Sequence, residues 1–582
     1  MLKKMVAVML GLTIVLAANG AGAQNEGKIA LVMKALSNPF FSNMQTGAKE
    51  YADKQKLPLE VFGIERETDV DRQISIVENL ISRGYGALVI APADSKTLIP
   101  VCKKAMEKGL KVINIDNPFH QETLQENKLV IPFVGSDNRA GAALVGNYLK
   151  QKIGQTGKVL VIEGIRGVEN AELRKQGFIE AITAGTQITV AAAETANWHT
   201  DEAFAVVSNL LAQQPDVNAI FCANDSMAMG AVQALDMVGL AGKVWVGAYD
   251  NLDEARQEMR NKRMHATIEQ HPELMGAYGV MLAARALAGE KIADYTPTPL
   301  DLITAESFEK KIGLSLSNVA NPFFASLQQG AQKAAELFGV TLVIADAKDD
   351  DAKQLLDLQA LIQTPVDLII LNPTNADTVA PVIEMADGSG IKVLTVDRKA
   401  SRDDLVVSHV ASDNVAGGRM AGEFIAAQLH GKGAILELEG IPGTSAAHDR
   451  GQGFNDAVKK YPDIKVAARE VGYFDKEKAR AAAARLLQEG QTFEAVFAHN
   501  DQMILGAIEA FDAAKVAQRP VFVGFDAIPE ALAALAQQKL QATVAQKPEN
   551  MGWEAVAAAV KMLRGETLAK EILVDLELVK QK

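Results

Sequence analysis

The amino-acid sequence of 582 residues contains the same pattern twice. Asn38 recurs as Asn321 after 283 residues, and Asp116 recurs as Asp397 after 281 residues. From Asp137 onward the separation is constant at 276 residues, so the first copy carries about seven extra residues before that point. A period of this length is far longer than the ~20–45 residues of a solenoid repeat. We therefore interpret it as the duplication of a whole folding unit.

The duplication sets the expected domain organisation. A chain of 582 residues is too long for one hydrophobic core, so each copy is expected to divide into two lobes. We predict a first unit over residues 24–304, a linker over 305–310 and a second unit over 311–582.

The first 23 residues have the pattern of an export signal. Lys3 and Lys4 precede an apolar stretch over 5–18, and the small residues at 21–23 suit cleavage before Gln24. The apolar stretch is shorter than the ~20 residues that a membrane-spanning helix needs. We therefore predict a signal peptide over 1–23 that is cleaved on export to a periplasm of the Gram-negative type.

Composition excludes some classes of function. The formal charge of −13 argues against a nucleic-acid partner, which requires a basic surface. Only Cys102 and Cys222 occur, which is too few for a disulfide framework in a chain of this size. The sequence shows no nucleophile elbow, phosphate-binding loop or metal-ligand spacing. We predict no enzymatic activity, no cofactor and no metal site.

Short apolar stretches alternate with amphipathic helical patterns in each half. Near-continuous apolar stretches are typical of parallel strands that are covered on both faces. The alternation predicts the α/β class, with doubly wound parallel sheets and right-handed crossovers. The strands predicted in the second half are 312–316, 341–345, 368–371, 392–396, 434–438, 466–471, 495–498 and 521–525, and the helices between them include 416–429 and 479–488.

The sequence Asn-Pro-Phe-Phe occurs at 38–41 and again at 321–324, each time between a strand-like stretch and a helical pattern. The proline ring favours a turn at this point. Open α/β sheets bind ligands beyond the carboxyl ends of their strands, where these adjacent aromatic rings are expected. A single copy would be explained more simply by rings that cap a core.

Polar and charged residues follow the predicted strands at matching places in both halves. Each alone has a structural explanation as a surface pair, a helix cap or a turn, but the whole set fits one pocket per half. Carboxylate and amide oxygens accept hydrogen bonds from hydroxyls, guanidinium groups donate to them, and aromatic rings pack against sugar C–H groups. The pattern therefore suits a neutral polyhydroxylated ligand. The matching pairs are Asp116 with Asp397, Asn117 with Arg398, Arg174 with Arg450, Asn224 with Asn500, and Asp250 with Asp526.

At these residues both halves resemble the periplasmic sugar-binding proteins of the ribose-binding type, the soluble receptors of ABC importers. The resemblance covers essentially all of 311–582, with the most specific runs at 317–324, 396–398, 443–447 and 523–526. This half is similar to D-ribose receptors, which implies ribose as its ligand. The contacts implied by the resemblance are Asn321, Phe323, Phe324, Asn372, Asp397, Arg398, Arg450, Phe474, Asn500, Phe525, Asp526 and Gln546.

The first half resembles the D-allose-binding relatives of the same family more closely. Lys34 stands where the second half has Ser317, and Trp198 stands where it has Phe474. Phe41 and Asn117 depart from the allose pattern, so a hexose, another pentose and a sugar alcohol all remain open. The contacts implied here are Lys34, Asn38, Phe40, Phe41, Asp116, Asn117, Arg174, Trp198, Asn224, Tyr249, Asp250 and Gln270.

The resemblance also implies a mechanism and partners. Each unit is expected to have two lobes joined by three crossing strands. In the second unit one lobe would be 311–411 with 547–575, and the other would be 412–546 with the tail. A ligand that contacts both lobes would close the hinge, and the closed form would be recognised by an ABC permease in the inner membrane. Docking on a chemoreceptor or a sensor kinase is the alternative. A transcription factor shares the core but requires an N-terminal DNA-binding segment.

Overall fold

The computed structural model describes residues 27–364 and 366–581. The predicted signal peptide and its cleavage site lie outside these residues. Within them, no helix combines the length and the apolar character needed to cross a membrane. The chain forms two units that divide between Phe308 and Glu309.

The first unit alternates strands and helices along the chain. Its elements are β1 (Ile29–Ala35), α1 (Pro39–Gln55), β2 (Leu59–Ile64), α2 (Val70–Arg83), β3 (Ala87–Ile90), α3 (Ile99–Glu107), β4 (Lys111–Ile115), α4 (Gln121–Glu126), β5 (Phe133–Gly135), α5 (Asn138–Ile153), β6 (Thr156–Glu163), α6 (Glu169–Thr183), β7 (Gln187–Thr195), α7 (Thr200–Gln213), β8 (Ala219–Cys222), α8 (Asp225–Met237), β9 (Trp245–Gly247), α9 (Asp253–Arg260), β10 (Ala266–Glu269), α10 (Pro272–Leu287), β11 (Tyr295–Pro297) and β12 (Asp301–Thr304).

The second unit repeats this alternation. Its elements are β13 (Lys311–Leu316), α11 (Pro322–Phe338), β14 (Thr341–Asp346), α12 (Asp351–Gln363), β15 (Leu368–Leu371), α13 (Ala380–Gly388), β16 (Lys392–Val396), β17 (Val406–Ser412), α14 (Asn414–Gln428), β18 (Lys432–Glu439), α15 (Ser445–Val458), β19 (Asp463–Val471), α16 (Lys476–Gln488), β20 (Ala495–Ala498), α17 (Asp501–Ala514), β21 (Val521–Asp526), α18 (Pro529–Ala536), β22 (Ala542–Ala545), α19 (Pro548–Leu563), β23 (Glu571–Val574) and β24 (Glu577–Lys580).

Each unit contains two six-stranded sheets, which define an N-terminal and a C-terminal lobe. In the first unit the orders are β11-β5-β4-β3-β1-β2 and β12-β10-β9-β8-β6-β7. In the second they are β14-β13-β15-β16-β17-β23 and β19-β18-β20-β21-β22-β24. The chain therefore passes between the lobes three times in each unit. In every sheet the second strand of the lobe is at the edge and the first strand lies next to it, so the strand order reverses at the first strand. This is the doubly wound order, in which a ligand binds in the crevice where the order reverses.

The predicted α/β class is confirmed, with one refinement at the end of each unit. All neighbouring strands are parallel except the last pair of each C-terminal lobe, β10 with β12 and β22 with β24. Strands β17, β22, β23 and β24 were not among those predicted. In β17 the apolar pattern is interrupted by Ser408 and His409, which are nevertheless buried. Their side chains bond to the Ala569 carbonyl and to Thr395, so burial costs them no hydrogen bond.

The seven extra residues of the first copy lie in two places. Gln73 follows Asn38 by 35 residues, whereas Gln354 follows Asn321 by 33. Two of the seven extra residues therefore lie in the loop between β2 and α2. The two glutamines are equivalent, because each donates its side-chain amide to the carbonyl that ends the third strand. The other five lie in the segment that contains α4, where the second unit has no helix.

The Asn-Pro-Phe-Phe segment of each unit, 38–41 or 321–324, is called the aromatic turn, and it is held in place by close helix packing. A side chain at Gly47 of α1 would collide with the Glu273 carbonyl, and one at Gly276 of α10 would collide with the Met44 carbonyl. The helices α11 and α19 make the same glycine-mediated approach in the second unit. Because these contacts are backbone to backbone, they fix where each helix, and the turn before it, lies on the sheet.

The predicted linker contains a 3-10 helix over Ala305–Glu309. Glu306 accepts from Tyr148 at 2.7 Å and pairs with Lys152 at 2.5 Å, so this part of the segment packs on the first unit. Lys310 pairs with Asp367 of the second unit at 2.8 Å. The boundaries 24–304, 305–310 and 311–582 stay a prediction.

The two cysteines are buried and lie in different lobes. Neither Cys102 nor Cys222 forms a disulfide. Burial raises the pKa of the Cys102 thiol to about 12, so little of it is the reactive thiolate at neutral pH.

Candidate ligand-binding sites

The aromatic turn is at once a helix cap and a cavity wall. Asn321 caps α11, because its Oδ1 accepts from the backbone N–H of Phe323 at 3.0 Å. The rings of Phe323 and Phe324 are buried, with centroids 5.2 Å apart in an edge-to-face arrangement. The first unit repeats this geometry, with a cap bond of 3.1 Å and the same centroid distance.

A cavity of about 260 Å³ lies between the two lobes of the second unit. Nine of the twelve predicted contact residues line it and come from both lobes; Arg450, which was predicted at a strand end, lies instead within α15. Ala446 is the one lining residue that was not predicted, and an alanine carries no functional group that could have signalled it. The lining residues are Asn321, Phe323, Phe324, Asp397, Arg398, Ala446, Arg450, Phe474, Asn500 and Asp526.

The first unit has an equivalent cavity, also of about 260 Å³. Nine of its twelve predicted residues line it. Glu67 and Asn170 line it as well and were not predicted, because neither follows a strand at a place shared by the two copies. The lining residues are Lys34, Asn38, Phe40, Phe41, Glu67, Asp116, Asn170, Arg174, Trp198, Asn224 and Asp250.

Arg450 is held rigidly at the floor of the second cavity. Its Nε donates to Asn414 at 2.8 Å, and its Nη1 donates to the His499 carbonyl at 2.6 Å. The guanidinium carbon lies 4.0 Å from the ring centroid of Phe525. Nη1 also lies 3.5 Å from Asp526 Oδ1. A guanidinium that is fixed in this way can donate to a ligand with little loss of conformational entropy.

Arg174 has the same surroundings in the first cavity. It donates to Asn138 at 2.7 Å and to the Ala223 carbonyl at 2.8 Å, and its guanidinium carbon lies 3.9 Å from the ring centroid of Tyr249. An additional bond of 3.2 Å reaches Gln270. The two arginines therefore have equivalent environments in the two units.

Four predicted contact residues lie behind the cavity walls. Phe525 and Tyr249 lie beneath the arginines. Gln546 and Gln270, at the second lobe crossing, donate to the cavity aspartates of their units at 2.6 and 2.7 Å. These residues support the side chains that line the cavities, and their own contact with a ligand stays a prediction.

The two remaining residues also lie outside the linings. Asn372 donates to Asp397 at 3.2 Å, so it orients a lining carboxylate. Asn117 donates to the Pro92 carbonyl at 3.0 Å and accepts from the backbone N–H of Asn170 at 3.3 Å. Because Asn170 belongs to the opposite lobe, Asn117 bridges the cleft. Direct ligand contact by Asn372 and Asn117 likewise stays a prediction.

The backbone adopts strained conformations at the same lining positions in both units. Asp397, Phe474 and Asp526 have φ values of 63°, 57° and 113°, and their counterparts in the first unit have 64°, 72° and 112°. Positive φ is unfavourable for side chains of this kind and is concentrated at functional sites in folded proteins. A side chain at Gly440 would collide with the Phe474 ring, so glycine is needed where that ring lies.

The two halves match the model of a periplasmic binding protein domain, over residues 29–291 and 312–567. These two matches cover well over half of the chain. The chain is a periplasmic binding protein. It contains two such domains in tandem, as the internal repeat indicates. The prediction that it is not an enzyme is confirmed, because the family consists of binding proteins.

Several characterised relatives of this periplasmic binding protein match about half of its length. A D-ribose/D-allose-binding protein of Pseudomonas aeruginosa is 41% identical over 296 residues, which is 50% of this chain and 92% of that protein. The ribose import binding protein RbsB of Bacillus subtilis is 42% identical over 275 residues, 47% of this chain and 88% of that protein. The D-allose-binding periplasmic protein of Escherichia coli is 34% identical over 272 residues, 46% of this chain and 88% of that protein.

Burial shifts the acid–base properties of the cavity carboxyls of this binding protein. Burial raises the pKa of Asp526 to about 7, although Arg450 beside it acts in the opposite direction. The pKa of Asp250 is raised to about 7 for the same reason, with Arg174 opposing. Burial also raises the pKa of Asp397, against the influence of Arg398. These carboxyls therefore lack some of the hydrogen-bond donors that would stabilise their charged forms.

Some buried polar atoms of the cavities lack a hydrogen-bond partner among residues 27–364 and 366–581. They are Oδ1 of Asp397 and Nε of Arg398 in the second cavity, and Oδ2 of Asp116, Oδ1 of Asn170 and Nε1 of Trp198 in the first. Buried polar groups in native proteins are nearly always hydrogen-bonded. Donors and acceptors that converge in one small cavity are complementary to a ligand with several hydroxyls.

Proposed function

We propose that the chain is the periplasmic substrate-binding component of an ABC sugar importer, with one sugar site in each unit. The second unit binds D-ribose, and the first binds a related monosaccharide or polyol of the allose type. The observation that carries this proposal is that, in each unit, buried donors and acceptors between the lobes make no hydrogen bond to any described residue. The ribose and allose relatives support the choice of ligand class.

The second cavity provides both kinds of contact that a sugar requires. The rings of Phe324 and Phe474 both lie near Arg398, with centroids 5.2 and 5.5 Å from its guanidinium carbon. Their faces can pack against sugar C–H groups, while carboxylates accept from hydroxyls. The lining combines these aromatic rings with charged and amide side chains, as expected for a site that binds a small polar ligand.

The site is divided between lobes, and this division couples binding to closure. The aromatic turn and Asp397 belong to the N-terminal lobe, whereas Arg450 and Asp526 belong to the C-terminal lobe. A ligand that contacts both lobes binds the closed form more tightly than the open form and so shifts the population toward it. The closed form would then be recognised by an ABC permease in the inner membrane.

The processing of the chain forms part of the same proposal. A leader over 1–23 would be removed on export to the periplasm, leaving Gln24 as the first residue, with sugar-binding units over 24–304 and 311–582. N-terminal sequencing of the protein purified from a periplasmic extract would test this. A mature protein that retains Lys3 and Lys4 would contradict it.

Calorimetric titration of the full chain with D-ribose tests the assignment of the second unit. Arg450→Ala should remove ribose binding by the second unit, because it leaves Asp526 without its ion-pair partner and takes away one of the two guanidinium donors of the cavity. Unsatisfied buried groups cost about 1–3 kcal/mol each, which corresponds to roughly 5- to 150-fold in affinity per group.

The matched control for this titration is Arg174→Ala, which makes the same change at the equivalent position of the first unit. This variant should leave D-ribose binding by the second unit unchanged. Absence of ribose binding by the unaltered protein, or loss of binding through Arg174→Ala and not through Arg450→Ala, would refute the assignment.

A further inference from the structure

Glu67 reaches the first cavity because its loop is longer than the equivalent loop of the second unit. The segment between β2 and α2 contains two of the extra residues of the first copy. Glu67 lies in this segment and is only 8% exposed, whereas Glu65 two residues earlier is exposed. The insertion therefore adds one buried carboxylate to the cavity lining.

Glu67 contacts two other lining residues but retains capacity to accept more hydrogen bonds. Its Oε1 accepts from Asn38 Nδ2 at 3.2 Å, and its Oε2 lies 3.7 Å from Lys34 Nζ, which is an ion pair but not a close hydrogen bond. Lys34 Nζ lies closer to Asp116, at 3.4 Å. A carboxylate offers about four acceptor positions, so most of those on Glu67 are available to a ligand.

The second unit has no equivalent carboxylate in its cavity. None of the described residues in the loop between β14 and α12 lines that cavity. Asp349 of this loop is exposed and accepts instead from Asn318 at 2.7 Å.

The basic residues of the N-terminal lobes also differ. Lys34 pairs with Asp116 and lies over the Phe41 ring. In the second unit Arg398 pairs with Asp397 and lies over the Phe324 ring.

The two linings therefore differ in their balance of acceptors and donors. The first contains three carboxylates and two basic side chains, and the second contains two of each. Since hydroxyl groups are the donors of a sugar, the additional carboxylate can accept a hydrogen bond from a hydroxyl that has no acceptor at the equivalent place in the second unit.

We propose that Glu67 is a specificity-determining residue of the first unit, and that it accepts a hydrogen bond from a hydroxyl that D-ribose does not have. The ligand of this unit is then a hexose or cyclic polyol with at least five hydroxyls. This inference rests on the proposed sugar-binding function. D-Allose and D-ribose are a suitable pair of probes, because their pyranose rings differ only by the hydroxymethyl group of allose.

The test is calorimetry on the full chain with Arg450→Ala, which silences the second unit. In this background D-allose should bind at least tenfold more tightly than D-ribose. Adding Glu67→Gln should weaken D-allose at least tenfold and D-ribose less than threefold. Glu65→Gln, an identical change at the exposed residue of the same loop, should alter neither affinity.

The outcomes distinguish this inference from the function on which it rests. Equal weakening of both sugars by Glu67→Gln, or weakening of neither, would overturn the specificity role while leaving sugar binding intact. Binding of neither sugar before Glu67 is changed would refute the proposed function of the first unit and the inference with it. If thermal unfolding shows that Glu67→Gln is misfolded, Glu67→Asp, which keeps the charge, should still weaken D-allose selectively, and equal weakening would again refute the inference.

Discussion

Asn500 is both a helix cap and a residue of the cavity lining. Its Oδ1 accepts from the Met503 backbone N–H at 2.9 Å, so it caps α17. Its Nδ2 donates to the Phe474 carbonyl at 3.2 Å, which helps to hold the aromatic ring at the cavity. The helix cap that the sequence predicts is therefore part of the site, because α17 begins where β20 ends at the cleft.

The raised pKa of Asp526 predicts pH-dependent ribose binding. An ordinary aspartate has a pKa of ~3.9, and burial raises that of Asp526 to about 7. The stability contributed by the protonated carboxyl is present below pH ~4 and is lost as the pH rises through about 7. Hydroxyls that donate to this carboxyl favour its charged form, so ribose binding should release a proton. The affinity for ribose should rise by up to about tenfold for each unit of pH until pH 7 and should then level off.

Titrations in two buffers of different ionisation enthalpy measure this proton release directly. Asp526→Asn, which cannot ionise, should abolish the pH dependence along with much of the affinity. Proton uptake on binding by the unaltered protein would contradict the prediction.

Helix α6 of the first unit is capped from the opposite lobe. Val168 occupies its N-cap position and makes no side-chain cap bond. The backbone N–H groups of Glu169 and Asn170 donate instead to Ser95 Oγ at 3.0 Å and to Asn117 Oδ1 at 3.3 Å, both across the cleft. These caps require the lobes to be together, so they should stabilise the closed form of this unit.

Removing a cap that joins the two lobes should weaken ligand binding, although the capping side chain does not line the cavity. Ser95→Ala should lower the affinity of the first unit for D-allose by about 2- to 30-fold, because a lost helix cap costs ~0.5–2 kcal/mol. The effect should lie in faster dissociation, which stopped-flow fluorescence measures.

The control for the cap lies in the second unit. Thr444 caps α15 within its own lobe, accepting from the Ala447 N–H at 3.3 Å. Because this cap does not depend on lobe closure, Thr444→Ala should lower thermal stability but leave ribose dissociation nearly unchanged. Equal effects of the two substitutions on dissociation would show that the cap across the cleft plays no part in closure.

At the scale of the whole molecule, the two sites are expected to act independently. Every sheet takes its strands from one half of the chain only, so no strand links the two cavities. In the Arg174→Ala variant, in which only the second site is intact, D-ribose should therefore protect amides of 311–581 from hydrogen exchange and leave those of 27–308 unchanged. At 100 times the dissociation constant, binding stabilises the folded unit by about 2.7 kcal/mol. Adding Arg450→Ala should remove this protection, and protection of 27–308 in the Arg174→Ala variant would contradict independent binding.

The sequence by itself determined the duplication, the α/β class and most of each cavity lining. It could do so because strand and helix periodicities are local, and because parallel strands bring their carboxyl ends to one edge. Asp397 and Asp526 could be predicted to face the cleft from their positions at strand ends, whereas Arg450 lies within α15. Their recurrence in both copies separated them from ordinary caps and turns.

Only the tertiary structure decided which polar residues face the cavities and which support them. Glu65 and Glu67 are the same residue type in one loop, and no periodicity in the sequence distinguishes the exposed one from the buried one. Likewise, Asn170 enters the cavity, and Asn117 bridges the cleft, only where the two lobes meet. The direction of a loop side chain and the contact of two lobes depend on packing between residues far apart in sequence, which local patterns do not encode.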